Sequence, residues 1–285
     1  MNGVTSIHAA LQGARQSIPL SEARLLLGSL LEKNLAWLEA HRDDELPEAI
    51  APRFADWVAR RTAGEPVAYL LGSREFYGRD FAVSPAVLIP RHETELLVEL
   101  ALSKLSKLTK NASPSLLDLG TGSGCIAITL ALETPYAQVT AVDASPQALV
   151  VAQQNAATLD ARVEFREGSW FEPLSGSRFD VIVSNPPYIK ADDPHLAQGD
   201  VRFEPPSALA SGPDGLADIR AIIATAPSYL KSGGWLLFEH GYDQAEAMVV
   251  VMEQGGFSAI EQHRDLAGIV RVTLGQWHSS SPPTA

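Results

Sequence analysis

Apolar residues recur with two different periods along the chain, and the period changes near residue 72. Before that point they recur every three or four positions, as in Ser21–Leu31, where Ser21 is a candidate helix cap. Pro47 can open a second helix of this kind, and Gly64 can end it. Residues 1–72 are therefore predicted to form a small helical bundle without obvious chemistry of its own.

Glu65–Val83 is instead rich in aromatic and β-branched side chains, with Gly72 and Gly78 at turn positions, and residues 73–90 are predicted to link the two domains. Arg74–Phe76 and Asp80–Val83 are predicted to pair as a β-hairpin that bridges two domains. A helix from Thr94 to about Lys107 is expected to follow.

From Ser115 to about Gln254, short apolar runs alternate with helical segments. This alternation is typical of a mostly parallel sheet, and two further strands close in sequence add an antiparallel strand at one edge. After the strand that starts at Ser115, the predicted strands are Gln138–Asp143, Arg162–Gly168, Asp180–Ser184, Gly234–His240, Ser258–Arg264 and Ile269–Gln276. The later helices are predicted over Leu216–Leu230 and Gln244–Gln254.

The apolar strand Asp180–Ser184 runs directly into Asn185-Pro186-Pro187-Tyr188. Neither proline has an N–H to donate, so the strand must stop in a stiff turn at its carboxyl end, where open α/β sheets bind ligands. The Asn185 side-chain oxygen and the Pro186 carbonyl are two fixed acceptors for an NH2 group, and Tyr188 can pack on the planar group that carries it. The turn suits a flat amide or amino substrate; taken alone, a plain proline-rich loop is an equal alternative.

A second motif is Gly120-Thr121-Gly122-Ser123-Gly124, which follows a short strand containing Asp118 and opens a helical run. Glycines permit a tight turn and a close approach of the backbone to a ligand. The spacing differs from the G-x-G-x-x-G of dinucleotide-binding sites. The motif therefore predicts a ligand-binding loop of another kind.

Asp143 ends the next strand, where an acid can accept hydrogen bonds from both ribose hydroxyls of an adenosine ligand. It can instead cap the helix that Ser145-Pro146 opens. Trp170 follows the third strand at the same edge of the sheet, and it either packs against adenine or plugs the surface.

The composition narrows the possible functions. The formal net charge of −12 over 285 residues disfavours a broad nucleic-acid surface, although not a local basic patch. The single cysteine, Cys125, excludes a disulfide framework and favours a reducing compartment. We find no leader pattern and no run of about 18 apolar residues, and we expect a cytoplasmic protein.

The loop Lys190–Gly215 is long enough to suggest a function. His195 lies in it beside Asp192 and Asp193, but no second His or Cys stands nearby at ligand spacing. A solvated loop is favoured, and no metal is expected.

Together these residues resemble class I S-adenosylmethionine-dependent methyltransferases, and more narrowly the HemK/PrmC family. Asn-Pro-Pro-Tyr is shared with DNA adenine and other amino-group methyltransferases, whereas the Ile-Pro-Arg-x-x-Thr-Glu segment and the helical N-terminal region select this family. The family often has Pro-Asp where His92-Glu93 stand, so an acid is kept. The segments that carry the resemblance are Gly64–Tyr77, Leu88–Glu95, Asp118–Gly124, Asn185–Tyr188, Arg264-Asp265 and Arg271–Gly275.

The resemblance implies an α/β fold, in which a class I (Rossmann-like) methyltransferase sheet is joined by a β-hairpin to a small N-terminal helical bundle. The predicted divisions are a bundle over 1–72 that helps to dock a release factor, a hairpin linker over 73–90, a methyltransferase domain over 91–278 and a disordered tail over 279–285.

The resemblance also implies the reaction. A methyl group would pass from S-adenosylmethionine, leaving S-adenosylhomocysteine, to the side-chain amide nitrogen of the glutamine in the Gly-Gly-Gln motif of class I peptide chain release factors, which modulates translation termination. The substrate glutamine would be held by Asn185, Pro186, Pro187 and Tyr188, with Asn185 and Pro186 as the catalytic positions. The cofactor would be held by Gly120, Thr121, Gly122, Ser123, Gly124, Asp143, Trp170 and Asn185.

Two other functions stay open. One is an amino-group methyltransferase that acts on DNA or RNA, against which the acidic balance counts. The other is a non-catalytic module that binds S-adenosylmethionine structurally, against which the glycine loop, Asp143 and the Asn-Pro-Pro-Tyr turn count. We expect neither a membrane nor a stable nucleic-acid partner.

Overall fold

The computed structural model describes residues 5–107 and 113–279. The chain divides into two compact units: one comprises the chain up to Ser73 together with Gly199–Phe203, and the other comprises Arg74–Gln198 and the chain from Glu204 onward. Apart from Ser279, the tail predicted over 279–285 lies outside the described residues. None of the helices in the described ranges combines the length and apolar character that crossing a bilayer requires.

The first unit is helical, as its periodicity predicts, and apolar residues of all five helices form its core. Two helix starts differ from the prediction. The second helix begins at Leu20, ahead of Ser21, and the fourth begins at Ala51 because Pro52, which has no N–H, is tolerated only in the first turn. The helices are α1 (Ile7–Ala14), α2 (Leu20–Leu31), α3 (Leu35–Ala40), α4 (Ala51–Thr62) and α5 (Val67–Leu71).

Arg61, near the end of α4, gathers two carboxylates within the first unit. Its guanidinium donates to Glu22 at 2.7 Å and to Asp200 at 2.8 Å. These hydrogen bonds raise the pKa of Arg61, so the group stays charged. The segment Gly199–Phe203 is thereby attached to a helix far from it in sequence.

The second unit opens with the β-hairpin that the sequence predicts, formed by β1 (Ser73–Phe76) and β2 (Arg79–Ala82). Both turn residues, Tyr77 and Gly78, have positive φ, at 53° and 74°. Two successive positive φ angles match the twist of a two-residue hairpin.

A seven-stranded sheet forms the centre of the second unit, and the predicted fold class is confirmed. Its strands are β3 (Ser115–Leu119), β4 (Gln138–Asp143), β5 (Glu164–Glu167), β6 (Phe179–Ser184), β7 (Leu230–Glu239), β8 (Ser258–Arg264) and β9 (Val270–Gln276). Its helices are α6 (Glu95–Ser106), α7 (Cys125–Glu133), α8 (Pro146–Thr158), α9 (Ala217–Thr225) and α10 (Ala245–Gln254).

The strand order is β5-β4-β3-β6-β7-β9-β8. The first five of these strands pair in parallel, and β9 is antiparallel to both β7 and β8. The chain moves outward from β3 to β5 and then returns to place β6 beside β3. The order therefore reverses between β3 and β6, and the crevice outside their carboxyl ends is where ligands bind in such sheets.

Two elements of this unit are shorter or longer than the sequence predicts. Helix α9 ends at Thr225, well before Leu230, because Pro227 cannot donate to a continuing helix. Strand β7 begins at Leu230 rather than at Gly234, and a register shift against β6 absorbs the extra residues.

Candidate active site

A cavity of about 400 Å³ lies at the reversal point, outside the carboxyl ends of β3, β4 and β6. Its wall includes six of the residues that the sequence singles out: Gly120, Gly122, Asp143, Trp170, Asn185 and Pro187. The other predicted site residues do not line the cavity. Within the glycine loop, Thr121 and Ser123 are buried and Gly124 caps α7. Within the turn, Pro186 is buried and Tyr188 is half-buried. The structure thus brings the glycine loop, the strand-end acid and the proline turn to one place.

The glycine loop is folded tightly against the end of β4. The backbone N–H groups of Gly120 and Thr121 both donate to the Val142 carbonyl, at 2.9 and 3.0 Å. Gly122 has φ +56°, and a Cβ built there would have no heavy atom within 4 Å, so its backbone borders open space. A Cβ on Gly124, by contrast, would lie 3.1 Å from the Cβ of Ala152. Gly122 therefore leaves room for a ligand, whereas Gly124 allows α8 to pack closely against the loop.

Asp118 lies beneath this loop and is completely buried. The Thr121 hydroxyl donates to its Oδ2 at 2.6 Å, while Oδ1 is buried and has no hydrogen-bond partner among the described residues. Burial raises the pKa of Asp118 to about 7. Asp118 does not line the cavity, so its carboxyl group supports the loop from within the core.

Asp143 is half-buried and shapes the loop through both carboxylate oxygens. Oδ2 accepts from the Gly122 N–H and Oδ1 from the Ser145 N–H, each at 2.8 Å. Burial raises the pKa of Asp143. The cap of α8 is the Ser145 hydroxyl, which accepts from the Ala148 N–H at 3.2 Å. Asp143 thus holds the loop in shape and still borders the cavity.

Trp170 forms another part of the wall. Its φ is +48°, an unusual backbone conformation for a bulky residue. Its ring lies 3.4 Å from where a Cβ on Gly120 would stand, so Gly120 leaves the space that the indole fills. Strained backbone of this kind concentrates at ligand sites, where the surrounding structure enforces it.

The turn after β6 is anchored at its first two positions. The Ser184 hydroxyl donates to the Leu119 carbonyl at 2.8 Å, which joins the ends of β6 and β3. The Asn185 Nδ2 donates to the Thr94 Oγ1 at 3.3 Å. The Asn185 Oδ1 is buried and has no hydrogen-bond partner among the described residues. The turn therefore holds one unused amide oxygen at the cavity wall.

The Tyr188 ring packs against a core cluster of the second unit and does not line the cavity. Its hydroxyl donates to the Glu239 Oε1 at 3.3 Å. Burial is the main cause that raises the pKa of Tyr188, and the Glu239 charge adds to it. Tyr188 thus stays protonated and supports the turn from below.

Three polar residues near the site were not identified from the sequence: Thr94, Glu204 and Glu239. Glu204 is buried and accepts from the Ile89 N–H at 3.1 Å and from the Arg91 guanidinium. It therefore joins two chain segments that both border the cavity, Ala86–Leu88 and Pro205–Ala208. Of the three, only Glu239 has a sequence signal that could have indicated a place near the site: like Asp143, it ends an apolar strand.

Possible metal ligands lie elsewhere in the unit. His195 is exposed and pairs with Asp193 at 2.7 Å. Within the described ranges, Glu75, His92 and Glu95 come close enough to share an ion. Two of them already accept hairpin-turn N–H groups, Glu75 from Gly78 at 2.6 Å and Glu95 from Tyr77 at 3.0 Å. These hydrogen bonds to the hairpin turn explain why the carboxylates lie close together.

Comparisons with known proteins agree with this architecture. A family model described as the PrmC N-terminal domain matches residues 4–72, and one described as the methyltransferase small domain matches residues 98–200. The chain is 50% identical to the release factor glutamine methyltransferase of Bordetella pertussis over 263 residues, which is 92% of this chain and 96% of that protein. It is 49% identical to the release factor glutamine methyltransferase of Xylella fastidiosa over 94% of this chain and 97% of that protein.

Among solved structures, a methyltransferase from Pyrococcus furiosus superposes with a TM-score of 0.52 at 18% identity, covering 79% of this chain and all of that one. At this identity the likeness concerns the fold alone.

Proposed function

The chain belongs to the family of release factor glutamine methyltransferases, and from this premise we propose that it methylates the side-chain amide nitrogen of the glutamine in the Gly-Gly-Gln motif of peptide chain release factors. The observation that carries the proposal is the unused, buried Asn185 Oδ1 at the wall of a cavity bounded by a glycine loop. An amide substrate brings the NH2 group that this oxygen lacks.

The cavity fits S-adenosylmethionine. Its volume of about 400 Å³ is within the usual range for small-molecule sites, and Gly122 borders open space at the loop. We assign Gly120, Gly122, Asp143, Trp170 and Asn185 as its contacts, with Asp143 on the ribose and Trp170 against adenine. The cofactor supplies a methyl group bonded to a positively charged sulfur and leaves as S-adenosylhomocysteine.

The residues of the turn supply positioning. An amide nitrogen is a poor nucleophile because its lone pair is delocalised. Asn185 Oδ1 and the Pro186 carbonyl accept the two amide hydrogens and so aim the nitrogen, and such positioning is worth roughly 7–11 kcal/mol of barrier at best. Both oxygens also stabilise the positive charge that develops on nitrogen, and the nitrogen loses one of its protons after the transfer.

We propose that the helical unit helps to dock the release factor, as the family resemblance implies. We further propose a cytoplasmic location, in keeping with the single, buried Cys125.

Transfer to an amino group of DNA or RNA is the second candidate, because the Asn-Pro-Pro-Tyr turn suits any planar NH2 group. The net charge of −12 disfavours it, since nucleic-acid surfaces are basic. The third candidate function is a non-catalytic module that binds S-adenosylmethionine without transferring its methyl group.

Mass spectrometry of a purified, unmethylated release factor, incubated with the protein and S-adenosylmethionine, tests the proposal. We expect one added methyl group on the motif glutamine. A release factor with glutamate at that position has no amide nitrogen and serves as the matched control. Methyl incorporation into nucleic acid instead would favour the second candidate, and cofactor binding without transfer to any substrate the third.

A further inference from the structure

The side-chain amide of Gln244 connects three segments of the second unit at the end of the proline turn. Gln244 directly precedes α10 and is only 5% exposed. Its Nε2 donates to the Tyr188 carbonyl at 3.0 Å and to the Gly215 carbonyl at 3.3 Å. Its Oε1 accepts from the Gly241 N–H at 2.8 Å. One side chain therefore holds the last residue of the turn, the end of the long loop and the segment that follows β7.

The direction of each of these hydrogen bonds is fixed by the partner, because all three partners are main-chain groups. A main-chain carbonyl only accepts, and a main-chain N–H only donates. The NH2 group of Gln244 therefore has to face Tyr188 and Gly215, and its oxygen has to face Gly241. A side chain without an amide group would take a hydrogen bond away from each of the three main-chain groups.

Two glycines leave the space that the Gln244 amide fills. A Cβ built on Gly215 would collide with the Tyr188 carbonyl oxygen and would lie 2.8 Å from the Gln244 Nε2. A Cβ on Gly241 would lie 3.1 Å from the Gln244 Oε1. The contact therefore depends on the absence of side chains at both positions, where the main chain approaches the amide closely.

The position of Tyr188 bears directly on the hydrogen-bond acceptors of the site. Pro186 stands two residues before Tyr188, and the ring of the intervening Pro187 fixes its φ. Neither proline has an N–H through which the rest of the sheet could hold it. A main-chain shift at Tyr188 therefore passes along a stiff link to the Pro186 carbonyl.

We propose that Gln244 is a positioning residue for methyl transfer, an inference that rests on the proposed function. By holding the Tyr188 carbonyl, it keeps the Pro186 carbonyl and the Asn185 oxygen where the substrate amide needs them. It acts through the turn, because Gln244 itself does not line the cavity.

Two variants test this role in the full chain. Gln244→Met keeps the length of the side chain and removes its N–H groups. Gln244→Asn keeps an amide that is one CH2 group shorter, and it carries the test if Gln244→Met does not fold. Gln276→Met is the matched control, because the Gln276 Nε2 also donates to a main-chain carbonyl, that of Gly233 at 2.8 Å. Gln276 pairs with Trp235, well before the carboxyl end of β7.

We expect each Gln244 variant to lower kcat on the release factor by about 10- to 100-fold, the effect that a misplacement of about 1 Å can have. The KM for the release factor and the calorimetric Kd for S-adenosylmethionine should change by less than about threefold, because the lost interaction orients the reacting group rather than binding either molecule. Gln276→Met should keep the wild-type kcat, even where its Tm falls as far as that of the Gln244 variants.

A second readout needs no turnover. In ¹H–¹⁵N spectra of the free protein, the side-chain NH2 signals of Asn185, identified by their loss in Asn185→Asp, should move in the Gln244 variants and stay in Gln276→Met. Near-wild-type kcat or unmoved Asn185 signals in the Gln244 variants would overturn the positioning role, as would an equal loss of kcat in Gln276→Met. A wild type that does not methylate the release factor would instead overturn the proposed function, and the spectra would still decide whether Gln244 holds the turn.

Discussion

At the scale of single residues, the second unit buries two acids at the carboxyl edge of its sheet, Asp118 and Glu239, and burial raises the pKa of each to about 7. Charged groups without full hydrogen bonding are costly in a protein interior. Both acids have one oxygen without a partner among the described residues. The site therefore holds polar groups at a cost in folding stability.

Glu239→Gln should show this cost as a pH dependence. The pKa of Glu239 rises from 4.5 to about 7, mainly through burial, with Glu93 raising it and Thr94, Tyr188 and Arg271 lowering it. Its stabilising contribution is complete below the unfolded pKa and is lost as pH rises through 7, by ~3 kcal/mol at most. Glutamine does not ionise. The Tm of the variant minus that of the wild type should thus be more positive at pH 8 than at pH 5, and an equal difference at both pH values would contradict the assignment.

Asn185→Ala should keep the fold and lose most of kcat. The side chain makes one hydrogen bond to Thr94, and its oxygen makes none within the described residues, so little stability depends on it. The measurements are kcat on the release factor and Tm, with Ser113→Ala as a surface control. Near-wild-type turnover would remove Asn185 from the catalytic role.

How much of the site is visible in the sequence depends on contiguity. Asn185 to Tyr188 and Gly120 to Gly124 are short motifs, and each carries its chemistry in a few adjacent residues. Thr94 and Asn185 are 91 positions apart, and no local pattern relates them. The placement of Tyr188 behind the turn is likewise a tertiary outcome.

At the scale of elements, the glycine loop shows how one motif serves two purposes. Gly124 lets α7 approach α8, whereas Gly122 faces the cavity. The sequence predicts the loop and most strands, because alternation of apolar runs and helices is a local pattern. It misplaces the helix boundaries near Pro52 and Pro227, because the apolar periodicity continues on both sides of each proline.

Substituting the two glycines should separate stability from binding. Gly124→Ala places a methyl group 2.8 Å from the Ile128 Cδ1 at φ +81° and should cost ~1–3 kcal/mol in the free energy of unfolding. Gly122→Ala meets no atom within 4 Å, so it should cost ~1–2 kcal/mol and also weaken cofactor binding about tenfold.

Denaturant unfolding and calorimetry measure the two effects. Gly13→Ala, in α1, is the control, because a Cβ there also has no heavy atom within 4 Å and alanine favours a helix. A Gly124→Ala variant as stable as the wild type would contradict the packing account.

At the scale of the whole molecule, the first unit includes a segment that the sequence gives no reason to place there. Gly199–Phe203 lies within the long loop Lys190–Gly215, yet it groups with the helices up to Ser73. It is anchored by the Arg61–Asp200 ion pair, which joins residues 139 positions apart, and by the Arg202 guanidinium, which donates to the Ala63 carbonyl. Periodicity predicts the bundle, but it carries no information on so distant a pair.

Arg61→Ala should release this segment. Three hydrogen bonds to carboxylates are lost, two to Glu22 and one to Asp200, and amide exchange in Gly199–Phe203 should accelerate about tenfold or more. Arg60→Ala is the matched control, because Arg60 pairs with the nearby Glu65 instead. Hydrogen–deuterium exchange read by mass spectrometry measures both, and equal protection of the segment in the two variants would show that Arg61 does not anchor it.

The interruption of the second unit between Gln198 and Glu204 also bears on recombination. In a natural or designed chimera with a crossover at residue 73, Arg61 and Glu22 would come from one parent and residue 200 from the other. The first unit is therefore not one continuous N-terminal segment. A graft between relatives that keeps its contacts intact must include the five residues Gly199–Phe203 as a second, separate insert.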